Sequence, residues 1–323
     1  MKSTGHFTRI ISLLLSVVFV FSLCTFTTSA ADGGETPAQK YANHAPINLW
    51  GDVVPYNGIG ANTNVVPKIY PYIAEDNPTG MCAVVFPGGG YSALSTDKEG
   101  TNIAKKLNEM GISAFVVHYR TSDGGRRGYD YRAILSDGLR GVKFARYNAE
   151  EFGIDPDKIF TIGFSAGGHL TCMTATHFDF EVDDPNYTPD EIDAVSARPN
   201  AAAPSYAVAT ICESYTHGGT RDYFSRGNKQ IQHDFSAENS VTEETPPVFL
   251  WHTWDDTTVP IQNCLGFAAA LAEAKIPYEL HIYARGTHGL GLGNGEYGTS
   301  KNPTAYNWST LLVDWLNRTL VTE

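Results

Sequence analysis

The chain has 323 residues, of which 42% are hydrophobic and 18% are charged, a composition typical of a globular protein with a sizeable core. Its 35 acidic and 23 basic residues give a net charge of −12, which argues against nucleic acid and anionic membrane surfaces as partners. Four of the five cysteines follow the N-terminal segment without a Cys-x-x-Cys pair, which disfavours a zinc site and favours buried thiols.

The first 30 residues have the three-part pattern of a secretory signal peptide. Lys2 and Arg9 precede an apolar stretch that ends at Leu23, and small residues around Ala30 supply a cleavage site. The apolar stretch is short for a membrane span, so we expect an exported, released protein rather than one held by an uncleaved anchor. Residues 31–45 are small and polar, and we expect them to form a flexible leader.

Two short strands come first, and from residue 82 onward apolar runs typical of strands alternate with helical patterns. The predicted strands lie at residues 47–50, 65–70, 82–86, 113–118, 159–162, 206–212, 247–251 and 278–283. The predicted helices lie at residues 101–110, 131–152, 168–177, 261–274 and 305–317. Two polar stretches, 178–204 and 213–245, are interpreted as irregular surface insertions. The alternation predicts an α/β fold, a mostly parallel central sheet with helices on both faces, in one domain over residues 46–323.

The segment Gly163-Phe164-Ser165-Ala166-Gly167 joins a predicted strand to a predicted helix and has the G-x-S-x-G pattern of a nucleophile elbow. Such a turn forces the serine into a strained backbone conformation, and the glycines remove side chains that would collide there. The start of the helix then offers N–H groups to a negatively charged oxygen. The pattern alone is a weak signal, because a glycine-rich surface turn has the same residues.

A serine nucleophile needs an imidazole to take its proton and an acid to orient that imidazole. In this kind of fold the chain order is serine, acid, histidine, with the last two each following a strand. Asp255 and Asp256 follow the strand that ends at Trp251, and His288 lies in a glycine-flanked loop after the last predicted strand. By spacing the two aspartates are nearly equivalent, and the bland alternative for both is a solvated turn. We expect His217, which lies in a polar stretch, to be solvated, and the remaining histidines to pack in the core or to be solvated.

Three glycines, Gly88 to Gly90, follow the apolar run 82–86. Without side chains, the amide of Gly89 or Gly90 can approach a substrate oxygen, and the amide of Ala166 offers a second donor. A phosphate-binding loop would continue with a lysine and a serine or threonine, which the residues after Gly90 do not provide. We therefore expect an oxyanion hole at Gly89, Gly90 and Ala166, with a flexible loop as the alternative.

Taken together, these motifs resemble those of α/β-hydrolases of the esterase and lipase superfamily, and more narrowly the secreted bacterial acetyl xylan esterases and feruloyl esterase-like enzymes. The resemblance covers about residues 45–320 and lies in residues 84–91, 116–120, 155–170, 255–260 and 286–289. In that family the acid opens an Asp-x-x-Val-Pro motif, which corresponds to Asp256. Lipase-like relatives have histidine before the glycines where this chain has Pro87, as in the carbohydrate-esterase branch.

The resemblance implies a Ser165, His288 and Asp256 triad that works through an acyl-enzyme, with no metal or organic cofactor. It implies small acyl esters, acetyl before feruloyl, on xylan-type polysaccharide or its oligosaccharides as substrates. A feruloyl esterase, a secreted peptidase of the same fold and a non-catalytic carbohydrate-binding protein remain alternatives. The aromatic residues of the insertions are candidates for a sugar platform or for lid packing, namely Tyr187, Tyr215, Tyr223 and Phe224.

Overall fold

The computed structural model describes residues 35–58 and 60–321, and the described residues from Thr36 onward belong to one compact unit. The predicted signal peptide and the first part of the predicted leader lie outside the described residues. Within the described ranges, no helix combines the length and the apolar character that crossing a membrane requires.

A short helix lies inside the range predicted as a flexible leader. This helix, α1 (Pro37–Lys40), is capped by Thr36, whose side chain accepts a hydrogen bond from a first-turn amide. Tyr41 follows the helix, donates its hydroxyl to Glu151 at 2.5 Å and packs its ring on Phe152 at a centroid distance of 4.7 Å. Aromatic packing thus joins this segment to the body of the domain.

A central sheet of eight strands organises the described part of the domain. In chain order they are β1 (Ile47–Asn48), β2 (Lys68–Tyr72), β3 (Cys82–Phe86), β4 (Ser113–His118), β5 (Ile159–Phe164), β6 (Ala201–Ser205), β7 (Val248–Thr253) and β8 (Tyr278–Tyr283). Their order across the sheet is β1-β2-β4-β3-β5-β6-β7-β8. β1 and β2 pair antiparallel, and the strands from β3 to β8 run parallel to one another, which confirms the predicted mostly parallel sheet.

Helices cover both faces of this sheet, as predicted. After α1 they are α2 (Asn102–Glu109), α3 (Tyr131–Tyr147), α4 (Ala149–Phe152), α5 (Ala166–Thr176), α6 (Gly218–Ser225), α7 (Lys229–Asp234), α8 (Gln262–Glu273) and α9 (Trp308–Leu320). Successive residues of β3 enter two separate buried clusters, because side chains alternate across a strand. Val84 joins the cluster that contains residues of α3, α5 and α8, and Val85 joins the cluster that contains residues of α2 and α9.

The predicted strand at residues 206–212 is wrong, because the strand in that region is β6 at Ala201–Ser205. A run of three alanines before Pro204 has no strand pattern of its own, yet in the sheet it lies buried between β5 and β7. The apolar residues that suggested a strand are instead buried in the loop after β6, where the carbonyl of Ala209 accepts the amide of Ala237. Burial beneath the second insertion explains their apolar character.

The prediction of an irregular surface insertion at residues 213–245 is also wrong. This stretch contains α6 and α7, and it buries Phe224 and Phe235 in the core. The stretch 178–204 holds a short 3₁₀ turn, Glu191–Ala194, before it enters β6. The second insertion therefore contributes packing as well as surface.

Candidate active site

Ser165 lies at the turn between β5 and α5, with φ +56° and ψ −118°, a backbone conformation that non-glycine residues rarely adopt. The neighbouring glycines are required by close contacts. A Cβ atom at Gly163 would lie 2.2 Å from the carbonyl oxygen of Gly167, and one at Gly167 would lie 2.1 Å from the carbonyl oxygen of Phe86. The predicted nucleophile elbow is thus present, and the Ser165 side chain lies above the carboxyl end of the sheet.

Ser165, His288 and Asp256 form a continuous hydrogen-bonded row. Nε2 of His288 lies 2.8 Å from Oγ of Ser165, and Nδ1 of His288 lies 2.6 Å from Oδ2 of Asp256. An ionised carboxylate only accepts, so Nδ1 donates to Asp256 and Nε2 is left to accept the serine proton. The tertiary structure brings together side chains that are 123 and 32 residues apart in the sequence.

The Asp256 carboxylate is buried and held by several donors, with 4% of the residue exposed. Its Oδ1 accepts the backbone amides of Thr258 at 2.9 Å and Val259 at 3.0 Å. Burial raises the pKa of Asp256, but the nearby His252 imidazole, the hydrogen bond from His288 and the backbone amides outweigh it and hold the pKa below its usual range. The carboxylate therefore stays ionised beside the imidazole at neutral pH.

Asp255 has a different set of contacts from its neighbour. Its Oδ1 accepts the backbone amide of Gly286 at 2.6 Å, and its Oδ2 lies 3.6 Å from a guanidinium nitrogen of Arg285. It makes no hydrogen bond to His288 within the described residues. The choice that spacing left open is thus resolved at the level of geometry, because only Asp256 meets the imidazole.

The glycine loop after β3 reaches the same place. Gly89 and Gly90 have φ of +131° and +64°, in the left-handed region, and a Cβ atom at Gly89 would lie 2.2 Å from the carbonyl oxygen of Ala93. Both glycines line a cavity of about 370 Å³ that also exposes Ser165 and His288. Ala166 begins α5, so its amide belongs to the first turn, where the amides have no acceptor within the helix. The predicted oxyanion-hole residues therefore adjoin the serine.

The second insertion supplies one wall of this cavity through His217, Gly219 and Tyr223. His217 precedes α6, and its Nδ1 accepts the amide of Thr220 at 3.2 Å, so the ring hydrogen lies on Nε2. That N–H has no hydrogen-bond partner among the residues that the structure describes. Burial, and then the proximity of His288, lower the pKa of His217, so the ring is neutral at neutral pH.

His217 is half-buried in the cavity wall, and the expectation that it would be solvated is wrong. No sequence signal marks it, because the polar stretch around it has no periodic pattern that predicts a pocket. Of the four candidate aromatics, only Tyr223 lines this cavity. Phe224 is fully buried and stacks on Tyr91 at a centroid distance of 5.4 Å, so it serves packing.

A further acidic residue, Glu99, lines the cavity, and the sequence motifs do not predict this position for it. It lies in a π-helical turn, Asp97–Thr101, a type of turn that is frequent at functional sites. Its Oε2 accepts the amide of Gly88 at 3.0 Å, next to the glycines of the proposed oxyanion hole. Tyr119 fixes the preceding residue by donating its hydroxyl to the carbonyl oxygen of Pro87. These contacts brace the loop that lacks the histidine of lipase-like enzymes.

The four cysteines of the described chain are free thiols. Cys82, Cys172 and Cys264 are buried as predicted, whereas Cys212 is exposed at the start of the second insertion. In the part of the chain that the structure describes, no group of three His, Cys, Asp or Glu side chains is placed to hold a metal ion.

A protein-family model and two curated proteins each match more than half of this chain. The model of the BD-FAE family matches residues 69–271 of this chain. Endo-1,4-beta-xylanase B of Butyrivibrio fibrisolvens is 36% identical over 239 residues, covering 73% of this chain and 36% of that protein. Acetylxylan esterase of Xylanibacter ruminicola is 33% identical over 224 residues, covering 68% of this chain and 42% of that protein. The chain thus spans about two fifths of the length of these two curated relatives.

A solved structure is similar over a larger share of its own chain. The acetyl ester-xyloside bifunctional hydrolase from Caldicellulosiruptor lactoaceticus is 35% identical and superposes with a TM-score of 0.74. The match covers 85% of this chain and 96% of that one. This match therefore includes nearly all of the solved chain, whereas the matches to the two curated relatives include less than half of each.

Proposed function

This chain belongs to the BD-FAE family of α/β-hydrolases, and on that premise we propose that it is an exported serine esterase. Its membership confirms the fold and the resemblance predicted from the motifs. The proposed substrates are small acyl esters, acetyl foremost, on xylan-type polysaccharide or its oligosaccharides. The observation that carries the proposal is the hydrogen-bonded row of Ser165, His288 and Asp256, in which Ser165 and His288 line the cavity.

The proposed reaction has two steps. Oγ of Ser165 attacks the ester carbonyl carbon while Nε2 of His288 takes the hydroxyl proton, and the Asp256 carboxylate stabilises the imidazolium. His288 then gives the proton to the leaving sugar oxygen, and an acyl-enzyme remains. In the second step His288 takes a proton from water, the hydroxide attacks the acyl carbonyl, and the free acid leaves as the Ser165 hydroxyl re-forms.

Amides near the elbow stabilise the charge that develops on the carbonyl oxygen. The donors are Ala166 and either Gly89 or Gly90, each of which is typically worth about 2.7–4 kcal/mol of barrier. All three lie next to Ser165 or line its cavity. Because these groups are held by the elbow and by a braced loop, little reorganisation accompanies the reaction.

Three features support a sugar as the alcohol portion of the ester. The names of the related proteins refer to acetylxylan, xylanase and acetyl ester-xyloside activities. The N–H of His217, which has no partner in the described part of the chain, offers a hydrogen bond that a sugar hydroxyl accepts, whereas an alkyl chain does not. The net charge of −12 favours an uncharged polymer over an acidic one.

Export rests on the sequence of residues 1–30, which have the pattern of a cleavable signal peptide. We expect the full chain expressed in a bacterium to appear outside the cytoplasm with a new N-terminus near Ala31 or Asp32. N-terminal sequencing of the exported protein checks this, and recovery of an intact Met1 from membranes would support an uncleaved anchor instead.

Hydrolysis of acetyl, butyryl and feruloyl model esters and of acetylated xylo-oligosaccharides tests the activity. We expect the acetyl esters to be cleaved fastest, with acetate released from the oligosaccharides, and we expect Ser165→Ala to be inactive on all of them. Faster cleavage of the feruloyl ester would shift the proposal to a feruloyl esterase. A folded wild-type protein that cleaves no ester would overturn the esterase proposal and direct attention to peptides or to binding without turnover.

A further inference from the structure

Glu99 carries a carboxylate that is almost completely buried. Only 4% of the residue is exposed, and it takes part in no ion pair within the described chain. Burying an unpaired carboxylate is costly unless hydrogen-bond donors replace its water. A Glu in such a position calls for an explanation beyond packing, and it lines the same cavity as Ser165 and His288.

Two donors from separate parts of the chain satisfy this carboxylate. The amide of Gly88 donates to Oε2 at 3.0 Å, and the hydroxyl of Tyr206 donates to Oε1 at 2.7 Å. The Tyr206 hydroxyl in turn accepts the amide of Gly291 at 2.9 Å. Gly88 precedes the proposed oxyanion donors, and Gly291 lies three residues after His288. One row of hydrogen bonds therefore spans the loop that holds the substrate oxygen and the loop that holds the base.

Close packing supports the same connection. Gly291 has φ +58°, and a Cβ atom there would lie 3.0 Å from the carbonyl oxygen of Lys98, the residue before Glu99. The ring of Tyr206 meets the ring of His288 edge-on at a centroid distance of 5.2 Å. Tyr206, the first residue after β6, has φ +34°, which is an uncommon backbone conformation for a residue other than glycine. The two loops are thus packed against each other at the point where the hydrogen bonds cross.

The protonation of the tyrosine gives the row its direction. Burial, and then the negative charge of Glu99, raise the pKa of Tyr206 well above its usual value, so the hydroxyl keeps its hydrogen. It can therefore donate to Glu99 while accepting from Gly291. A hydrogen bond to a charged acceptor is stronger than one between neutral groups, which suits a contact that has to fix a loop.

We propose that Glu99 and Tyr206 form one positioning unit that fixes the oxyanion loop relative to the His288 loop. This inference rests on the proposed esterase function and deepens it. Neither residue is assigned a proton transfer, and both act through backbone amides. Removing a single oxyanion donor costs about 10²–10³-fold in kcat in enzymes of this type, so a displaced loop lowers kcat while substrate binding persists.

The test compares Glu99→Gln, Tyr206→Phe and the double variant on 4-nitrophenyl acetate. The variant Glu99→Gln keeps the shape but turns an NH₂ group toward one of the two donors, and Tyr206→Phe removes the hydroxyl that joins the halves. We expect each single variant to lower kcat by about 10- to 100-fold with KM within about twofold, and the double variant to resemble the worse single variant. Independent, additive losses, or unchanged kcat, would overturn the unit.

Asp97→Asn is the matched control, because Asp97 lies in the same π-helical turn and its side chain is exposed. It removes one negative charge from the turn, so it separates position from charge, and we expect wild-type kcat. An equal loss of kcat in Asp97→Asn and Glu99→Gln would mean that general charge, and not the two hydrogen bonds, matters.

A chemical rescue separates positioning from a loss of folding. Glu99 lines the cavity, so Glu99→Ala leaves a space that formate can enter from solvent. We expect formate to raise the kcat of Glu99→Ala by about fivefold or more, since this variant lacks the carboxylate. We expect formate to leave the kcat of Tyr206→Phe unchanged. Labelling of Ser165 by a phosphonate counts the folded sites, and slow labelling in the variants supports the unit without relying on ester turnover.

The outcomes for this inference and for the proposed function are distinct. If wild-type protein cleaves esters and the variants match it, the positioning unit is wrong and the esterase stands. If wild-type protein cleaves no ester but the phosphonate labels Ser165, the labelling rates of the variants still test the unit. If wild-type protein shows neither turnover nor labelling, both proposals fall.

Discussion

The floor and the wall of the cavity are built differently. The floor consists of Ser165, His288 and Glu99, with the buried Asp256 behind His288, and these side chains are tied to backbone amides or to one another. One wall comes from the second insertion, where His217 caps α6 through Nδ1 and its Nε2–H has no hydrogen-bond partner among the described residues. The difference suggests a division of work, in which the floor performs a reaction common to all esters and the wall selects the alcohol.

The largest expected effect is at the centre of the floor. We expect Ser165→Ala to lower kcat on acetyl esters by about 10⁶-fold, because the acyl-enzyme cannot form. Active-site labelling and steady-state kinetics check this, with circular dichroism to establish that the fold is retained. Residual turnover within about tenfold of the wild type would mean that another group is the nucleophile and that the floor is misassigned.

Adjacent aspartates provide the next and sharper contrast. We expect Asp256→Asn to lower kcat by about 10⁴-fold, because the amide leaves His288 in the wrong tautomer and its imidazolium without support. Asp255→Asn is the matched control and should cost less than about tenfold, since Asp255 bonds to the Gly286 amide and not to the ring. The reverse ranking of the two variants would contradict the assignment of the acid.

The wall should respond in a substrate-dependent way. We expect His217→Phe to lower kcat/KM on acetylated xylo-oligosaccharides by about tenfold, the value of one hydrogen bond, and to change it by less than about twofold on 4-nitrophenyl acetate. His217→Gln keeps a donor and should recover part of the loss. Equal losses of kcat/KM on both esters would mean that His217 contributes to ester cleavage itself, and the proposed difference between floor and wall would then be wrong.

The smallest effect concerns the response of the floor to acid. The pKa of Asp256 is lower in the folded protein than its unfolded value of about 3.9, so its favourable contribution is complete above about pH 5 and is lost as the pH falls through the folded pKa. The difference in unfolding free energy between wild type and Asp256→Asn should therefore be flat from pH 8 to about 5 and shrink below it. Denaturant unfolding at several pH values measures this, and a decline that begins near pH 7 would point to a histidine instead.

Sequence patterns were sufficient for most of the fold and for the proximity of Ser165, His288 and Asp256. Strands such as β3 and β4 are built around continuous apolar runs, and their predicted ends agree with the structure. The predicted triad residues each follow a strand, and the carboxyl ends of parallel strands meet at one edge of a sheet. Their proximity is therefore a consequence of topology that the motifs already imply.

Among the features that escaped prediction, β6 and Glu99 have identifiable physical reasons. β6 is a run of small residues with Pro204, and its strand conformation comes from the neighbours that bury it on both sides, not from the propensity of alanine. Glu99 lies in a polar stretch typical of a solvated helix start, and its burial arises from a turn that directs it inward.

By itself, the sequence determined most of the sheet, the elbow at Ser165 and the candidate partner His288. Local periodicity and turn chemistry depend on residues that are close together in the chain. Spacing alone left the choice of aspartate open, and only the tertiary structure shows that Asp256 contacts His288. Only the tertiary structure shows that Glu99 braces the glycine loop and that His217 borders the cavity. These contacts join side chains from distant segments across loops of irregular shape. Such distances depend on how the whole chain packs, and no local pattern of residues encodes them.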